Sequence, residues 1–399
     1  MSLKKYDHQI GVGGLVLSDY EKNLVNEVLD SNQLTYGPYS KRFESEFAAS
    51  HECRFAQFMN SGTSALHVAL QVLKTRHGWA DGDEVIVPAV TFVATSNIVL
   101  HNRMTPVFVD VESDTYNIDP KKVEEKITSR TRAIIPVHLL GLPASMGPIQ
   151  DIARTYKLAI IEDSAETMFA KYMGKSVGSL GDVGCFSTYI AHFLVTGVGG
   201  LTTTNDPELA ADMRSVMNHG RDGIYIGSTD DHGVDDKTFH EIVERRFRFV
   251  HIGHSFRCTE MEAAIGIGQL ARKDEIVTRR RAIAERYNKE LAKYSDVIQL
   301  PHCPDDRTHS YMLYGIVTKR EDKKRMVHFL EDLNVETRDM LPLINQPVYR
   351  RMFGNLDSKF PVATWINNHG FYVGCHSFMK DEEVDYVIEA IGEFCRTQA

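Results

Sequence analysis

The sequence lacks the cysteine arrangements that mark metal-binding or disulfide-rich proteins. Its six cysteines are spread from Cys53 to Cys395, with no C-x-x-C pair and no close grouping with histidine. Structural zinc sites draw on Cys and His at short, recognisable spacings, and iron–sulfur clusters need several thiolates gathered together. We therefore expect reduced thiols that mainly pack in the interior, and no bound metal.

Long apolar runs and basic patches are also missing. No apolar stretch reaches the roughly 18 to 20 residues that a membrane-spanning helix needs, and the opening MSLKKYDHQ lacks the apolar core of a secretory signal. The formal net charge of -9 comes from scattered acids. These features predict a cytoplasmic protein that binds neither a membrane nor nucleic acid.

The order of apolar segments predicts the fold class. From EVIVPAV through TPVFVDV, RAIIPVHLL, LAIIEDS and VGCFSTY, strand-like segments alternate with helical ones. Such alternation is typical of an α/β fold with a mainly parallel sheet covered by helices on both faces. The chain has 399 residues, which is more than one hydrophobic core usually accommodates. We predict a large domain over residues 1–276 and a small α/β C-terminal domain over residues 277–399, with a long helical run that bends near Lys273 between them.

Three segments contain residues suited to chemistry. The turn NSGTSAL, Asn60 to Leu66, opens a helix whose amides could bind a phosphate, although for this motif alone a simple capped helix start is the better interpretation. Asp163 ends an apolar strand, where ligand sites open in parallel sheets, but it could instead cap the following turn. Ser187 and His192 lie in a strand and loop before a glycine-rich turn. A lone histidine is more often a packing or surface residue.

Taken together, these segments resemble the DegT/DnrJ/StrS family of pyridoxal-phosphate (PLP)-dependent sugar aminotransferases. The similarity begins at TYGPYSKRFE, continues through NSGTSALHVAL, GDEVIVPAVTFVATSN, TPVFVDVESDTYNID, IIPVHLLG, IEDSAE and VGSLGDVGCFS, and reaches HSFRCTEMEAAIGIGQL. It covers nearly the whole chain. The resemblance implies PLP-dependent fold type I, with a seven-stranded sheet in the large domain, and a homodimer.

The resemblance also implies roles for individual residues in holding the cofactor. Asp163 would bond the protonated pyridine nitrogen and so maintain the ring as an electron sink. Phe92 would stack on the ring. The phosphate would be held by Gly62, Thr63, Ser64 and Ser187.

Three positions depart from the family pattern. His192 stands where the lysine that bonds the cofactor is expected, and an imidazole cannot form a stable Schiff base, so the cofactor would be held non-covalently. Lys171 and Lys175 are out of register to replace it. Glu166 stands where Gln is usual, beside the cofactor's phenolic oxygen. In GHSFR, the stretch that reaches a neighbouring subunit's phosphate, Ser255 replaces Asn while Arg257 is kept.

A lysine-to-histidine exchange resembles the GDP-4-keto-6-deoxymannose 3-dehydratase branch, in which pyridoxamine phosphate (PMP) is used and histidine is the only base. We therefore predict 3-dehydration of a nucleotide-linked keto sugar with His192 as base, and glutamate as amino donor. Two alternatives remain: an aminotransferase, natural or engineered, that lacks its lysine, and a non-catalytic sensor of PLP or a sugar nucleotide. Contacts with the substrate are predicted at His219, Arg221, Arg257, His309 and Tyr311, where a surface or folding role is equally compatible with the sequence.

Overall fold

The computed structural model describes residues 3–223, 227, 230–320, 323–341 and 343–398. Several helices begin where the sequence supplies a capping side chain: Ser18 caps the first one, and Ser61 and Asp206 cap later ones. The helices are α1 (Asp19–Ser31), α2 (Pro38–Ser50), α3 (Gly62–His77), α4 (Val93–His101), α5 (Pro120–Val123), α6 (Met146–Tyr156), α7 (Pro207–Met217), α8 (Asp236–Arg245), α9 (Glu260–Ala271), α10 (Lys273–Leu291), α11 (Lys324–Asp332), α12 (Pro347–Phe353), α13 (Pro361–His369) and α14 (Asp381–Gln398).

The strands form one large sheet, one smaller sheet and a short hairpin. They are β1 (Phe55–Met59), β2 (Glu84–Pro88), β3 (Thr105–Val109), β4 (Thr131–Ile134), β5 (Ala159–Asp163), β6 (Lys171–Tyr172), β7 (Lys175–Ser176), β8 (Val183–Ser187), β9 (Gly200–Thr204), β10 (Ile298–Gln299), β11 (Tyr314–Thr318), β12 (Arg338–Asp339) and β13 (Gly370–Val373). The seven-stranded sheet has the order β1-β9-β8-β5-β4-β2-β3, and only β9 runs antiparallel to its neighbours. The predicted mainly parallel sheet is confirmed.

Helices cover both faces of the large sheet. In β2, Val85 and Val87 belong to the largest apolar core, whereas Ile86 between them faces a second core built with Met146 and Ile149 of α6. Alternate residues of a strand point to opposite faces, so a strand buried on both sides must be apolar throughout. This explains the continuous apolar segments that predicted the fold class.

A separate apolar core belongs to the C-terminal part of the chain. Helices α10, α11 and α14 pack on the four-stranded sheet, whose order is β10-β11-β13-β12. The N-terminal segment also reaches this core, because the side chain of Ile10 is buried within it. The long helical run is interrupted at Arg272, between α9 and α10, as the predicted bend near Lys273 requires. The division at residue 276 stays a prediction.

The stretch from Gly223 to Asp236, predicted as an exposed loop, lies partly outside the described residues. Within it, residues 233–236 are exposed. Helix α8 follows directly, capped by the side chain of Asp235, which accepts a hydrogen bond from the amide of Thr238. The sequence pattern predicts no helix at this position.

Candidate active site

The predicted cofactor residues gather at the carboxyl ends of parallel strands. Asp163 is the last residue of β5 and pairs in register with Cys185 of β8, two residues before Ser187. Phe92 follows β2 and immediately precedes α4. Parallel α/β sheets open their ligand sites at this edge.

Asp163 is a buried carboxylate held by neutral donors. One oxygen accepts a hydrogen bond from the hydroxyl of Thr95 at 2.7 Å, and the other accepts one from the amide of Ala165 at 3.2 Å. Burial raises the pKa of Asp163, and the Thr95 bond works in the opposite direction. No basic side chain among the described residues forms an ion pair with it. A cationic ligand group beside Asp163 would therefore stabilise the ionised carboxylate, which fits a protonated pyridine nitrogen.

Glu166 lies three residues after Asp163 and is also buried. Its Oε2 accepts a hydrogen bond from the amide of Leu140 at 3.0 Å. Burial raises the pKa of Glu166 to about 7, and the charge of Asp163 acts in the same direction. Near neutral pH a large fraction of Glu166 is therefore a neutral carboxylic acid, which can donate a hydrogen bond as a glutamine amide does.

The NSGTSAL turn forms the N-terminus of α3 and is packed against β8. Ser61 caps the helix by accepting a hydrogen bond from the amide of Ser64 at 3.0 Å. In the described part of the chain, the amides of Gly62 and Thr63 have no acceptor, so they are available to an anion. A Cβ on Gly62 would lie 2.7 Å from the Cβ of Ser187. Glycine is therefore required for the close approach that brings the two phosphate-binding candidates together.

His192 lies in the loop between β8 and β9, and its ring is held by a hydrogen bond to the backbone. Its Nδ1 lies 3.1 Å from the carbonyl oxygen of Ser187. Since a carbonyl only accepts, Nδ1 carries the proton, and in the neutral ring Nε2 is the basic atom. Burial lowers the pKa of His192 to about 4, with a contribution from the charge of Arg280. The imidazole is therefore neutral at pH 7.

The two lysines that were judged out of register lie in the β6–β7 hairpin. The ammonium of Lys171 pairs with Glu52 at 2.6 Å, and Lys175 is exposed. The ring of Phe92 is 59% exposed at the start of α4, so a ligand can reach it.

Three of the predicted substrate and cofactor residues form a second group. A guanidinium nitrogen of Arg257 lies 3.2 Å from Nε2 of His219 and 3.1 Å from the hydroxyl of Ser255. The amide of Asn60 donates to the carbonyl of Phe256 at 2.8 Å. This backbone bond places the group beside the NSGTSAL turn.

The remaining predicted substrate residues lie in two separate places. The rings of His309 and Tyr311 stack, with 3.7 Å between their centres. The amide of Ser310, between them in the chain, donates to the carbonyl oxygen of Gly141. Gly141 follows Leu140, whose amide bonds Glu166. Arg221 instead lies over the rings of Phe247 and Phe249. The structure therefore brings His309 and Tyr311 towards the cofactor residues, whereas Arg221 contacts none of them in the described part.

Two side chains outside the predicted set support Asp163 and its neighbour Glu162. Thr95 lies in the first turn of α4, within the TFVAT string, and a hydroxyl three residues after Phe92 was the available signal. His138 donates from Nε2 to the fully buried Glu162, the residue before Asp163, at 2.9 Å. No sequence signal links His138 with Glu162, because His138 follows β4 whereas Glu162 lies in β5.

Two absences apply to the described ranges alone. In those ranges no helix has the length and apolarity needed to cross a membrane. Nor do the described side chains include a group of three or more His, Cys, Asp or Glu placed to hold a metal ion.

Comparison with known proteins identifies the family. Residues 16–392 match the DegT/DnrJ/EryC1/StrS aminotransferase family. GDP-perosamine synthase of Escherichia coli O157:H7 is 33% identical over 381 residues, covering 95% of this chain and 96% of that protein. The dTDP-4-dehydro-2,6-dideoxy-D-glucose 3-dehydratase of Saccharopolyspora spinosa is 30% identical over 395 residues, covering 96% of this chain and 85% of that protein.

A solved structure shows the same fold. The E. coli GDP-4-keto-6-deoxy-D-mannose-3-dehydratase with bound hydrated PLP superimposes with a TM-score of 0.86 at 26% identity, over 97% of this chain and 100% of the other. The predicted fold type I and PLP dependence are confirmed. The chain belongs to the DegT/DnrJ/EryC1/StrS aminotransferase family and is an enzyme of that PLP-dependent family.

Proposed function

We propose that this enzyme removes the 3-hydroxyl group from a nucleotide-linked 4-keto-6-deoxy sugar, using PLP or PMP and His192 as the base. The observation that carries the proposal is the ring of His192, anchored through Nδ1 to Ser187 with Nε2 left as the basic atom. The relatives include both a 3-dehydratase and a perosamine synthase, so the family alone leaves the reaction open.

The residues that would hold the cofactor supply complementary chemistry. Asp163 offers a buried carboxylate to the ring nitrogen, Phe92 an exposed ring for stacking, and Glu166 a hydrogen bond to the phenolic oxygen. The phosphate would lie on the amides and hydroxyls of Gly62, Thr63, Ser64 and Ser187. When bound, the cofactor supplies an electron sink conjugated to the sugar carbon that reacts.

His192 suits proton transfer because it is neutral and held in one orientation. A neutral imidazole can take a proton without first losing one, and the bond to Ser187 fixes which nitrogen does so. Since the residue lacks a primary amine, it cannot hold the cofactor covalently. We therefore propose that PLP and PMP bind non-covalently and that glutamate supplies the amino group that regenerates PMP.

We also propose that the enzyme works as a homodimer. The group formed by His219, Ser255 and Arg257 is exposed, as expected if it meets an anion held by a neighbouring subunit. Large apolar side chains lie just before it in the chain: Phe247 is 75% exposed and Ile252 is 88% exposed. Apolar exposure of this size is typical of a surface that a partner covers.

Substrate contacts are proposed at both groups of polar side chains. His309 and Tyr311 lie near the turn that bonds Glu166, and Arg221 and Arg257 offer cationic groups for a diphosphate. The division into domains at residue 276 would place the cofactor residues in one domain and His309 and Tyr311 in the other.

An aminotransferase remains the second candidate, because the matching family carries that description and one relative is a perosamine synthase. A non-catalytic sensor is the third. Incubating the protein with PLP, glutamate and a GDP- or dTDP-linked 4-keto-6-deoxy sugar, followed by mass spectrometry of the sugar, separates the three. Loss of one oxygen supports dehydration. An amino group in place of the keto oxygen supports amino transfer, and an unchanged sugar across a broad panel supports a sensor.

Borohydride reduction tests the non-covalent mode of binding independently. The protein is loaded with PLP, reduced, digested and examined by peptide mass spectrometry. We expect no lysine peptide that carries the cofactor. A single modified lysine would overturn this part of the proposal.

A further inference from the structure

Arg280 is a buried arginine in α10 whose guanidinium joins three separate segments of the chain. It is 3% exposed. One terminal nitrogen donates to the carbonyl oxygens of Met312 at 2.6 Å and Cys375 at 2.8 Å, and the other donates to the carbonyl oxygen of His192 at 3.3 Å. The guanidinium also lies 4.7 Å from the ring centre of Phe193.

The charge of this guanidinium is not neutralised by an acid. No carboxylate in the described ranges lies within ion-pair distance of Arg280, and its Nε has no hydrogen-bond acceptor there. Burying a cation without a counter-charge is unfavourable, because the ion loses its hydration. The carbonyl groups offset part of this cost, yet an apolar side chain of similar size would avoid it. Stability alone therefore does not explain an arginine at this position.

The contacts of Arg280 explain it better. Met312 precedes β11 and Cys375 follows β13, so two of the three carbonyls lie next to strands of the C-terminal sheet. The third belongs to His192, in the loop after β8 of the large sheet. The planar fork of arginine directs donors on two separate nitrogens at fixed angles, whereas a lysine ammonium offers a single nitrogen whose donors rotate.

We infer that Arg280 is a positioning residue for His192, holding the peptide of His192 against the C-terminal sheet while Ser187 holds its ring. This inference rests on the proposed role of His192 as the base. With its carbonyl and its Nδ1 both bonded, the residue is held at its backbone and at its ring. A base fixed in this way keeps Nε2 in one place relative to a bound substrate.

The charge of Arg280 has a second effect, on the protonation of neighbouring groups. Burial lowers the pKa values of both His192 and His376 to about 4, and in each case Arg280 adds to the lowering. Cys375 and Tyr189 are the other titratable side chains beside this contact; the ring of Tyr189 lies 6.2 Å from that of His192. Arg280 therefore favours the neutral, basic form of His192.

Two substitutions separate geometry from charge. Arg280→Lys keeps the cation and loses the fork, whereas Arg280→Met loses both and keeps an apolar side chain of comparable length. Arg279→Lys is the matched control, because Arg279 lies next along α10 and bonds Met379 and Asp381 at the surface. The ring of His192 is followed by nitrogen-15 NMR of histidine-labelled enzyme, its signal identified by its loss in His192→Asn.

For Arg280→Lys we expect kcat to fall about tenfold with little change in KM and with His192 titrating as in the unaltered enzyme. For Arg280→Met we expect His192 to titrate about one pH unit higher. Unaltered kcat in Arg280→Lys together with unaltered titration in Arg280→Met would overturn the inference. If Arg280→Met fails to fold, the kcat of Arg280→Lys alone decides.

The titration distinguishes this inference from the proposed function. It needs no turnover, so a shifted His192 signal in Arg280→Met would be seen even if another residue were the base. Activity retained in His192→Asn would refute the role of His192 and leave the structural link between the two residues standing. In that case the inferred positioning role for catalysis is also overturned.

Discussion

The carbonyl oxygen of Ser187 accepts a hydrogen bond from Nδ1 of His192 at 3.1 Å, and this contact selects Nε2 as the atom that receives a proton. Asparagine at position 192 retains a side-chain donor of similar reach but has no basic nitrogen. We expect His192→Asn to lower kcat for the keto sugar at least about 100-fold, as loss of a general base does.

The control for this substitution is His328→Asn, because His328 is exposed on α11, in the C-terminal part of the chain. Sugar turnover is followed by mass spectrometry at pH 7.5 for both variants. A His192→Asn enzyme with unaltered kcat would refute the assignment of the base.

Glu166 predicts an unusual dependence of stability on pH. Its pKa in the folded protein is about 7, above the ordinary value of 4.5, so the folded state binds the extra proton. The stability from Glu166 is present below pH 4.5 and is lost as pH rises through 7. Glutamine resembles the protonated form at every pH. We expect Glu166→Gln to match the unaltered protein at pH 4.5 and to exceed it in free energy of unfolding by on the order of 2 kcal/mol at pH 8.

Denaturant unfolding of the cofactor-free protein at the two pH values measures this difference. Glu125→Gln serves as a control, because Glu125 is exposed. Equal stability of Glu166→Gln and the unaltered protein at pH 8 would contradict the raised pKa.

Thr95 supports Asp163 and offers a graded test of the carboxylate. Thr95→Val removes the 2.7 Å hydrogen bond to Asp163, together with a 2.7 Å bond to the hydroxyl of Thr91, while keeping the branched shape of the side chain. We expect a loss of roughly 1 to 2 kcal/mol in PLP binding energy, which is about a fivefold to thirtyfold weaker Kd. Asp163→Asn should abolish the spectrum of ring-protonated PLP. The absorbance titration with PLP measures both, and identical spectra for Asp163→Asn and the unaltered enzyme would count against the role of Asp163.

A side chain at position 62 should impair phosphate binding by a steric clash. An added Cβ would lie 2.7 Å from the Cβ of Ser187, closer than such atoms approach, so the turn and β8 must separate. We expect Gly62→Ala to weaken the Kd for PLP about tenfold. Gly223→Ala is the control, because the space around Gly223 is open. If Gly62→Ala binds PLP as tightly as the control, the turn does not hold the phosphate.

The burial of His51 makes the stability of the protein sensitive to acid. Its ring is fully buried, stacked on Phe47 with 4.4 Å between ring centres, and its Nε2 has no partner among the described residues. Burial lowers the pKa of His51 to about 4. Between pH 6.5 and 4 His51 is therefore protonated in the unfolded chain but not in the folded protein. The free energy of unfolding consequently decreases as the pH decreases.

Phenylalanine at position 51 cannot take up that proton. We expect the free energy of unfolding of His51→Phe to fall less between pH 7 and pH 4.5, by about 2 kcal/mol, than that of the unaltered protein. His328→Phe, at an exposed site, should not alter the slope. Identical slopes for His51→Phe and the unaltered protein would contradict the buried, neutral assignment.

Local patterns in the sequence were enough to predict the framework of the site. Asp163 was placed at the end of a strand because the apolar run AIIED stops there, and the NSGTSAL turn was placed at a helix start by its capping serine. Both signals extend over a few neighbouring residues, and backbone geometry translates them directly into position. The unusual status of His192 also came from the sequence, by its register within a long resemblance.

Only the tertiary structure decided which distant side chains act together. Thr95 bonds Asp163 across 68 positions, and Arg280 bonds His192 across 88. Within RRR, Arg279 is partly exposed and Arg281 is exposed, while Arg280 is buried. The pattern of α10 can indicate which arginine faces inward, but its acceptors lie on three other segments. The sequence by itself determined the family, the order of elements and the candidate base. The approach of three distant segments to α10 determined what holds that base, because hydrogen bonds depend on distance in space rather than along the chain.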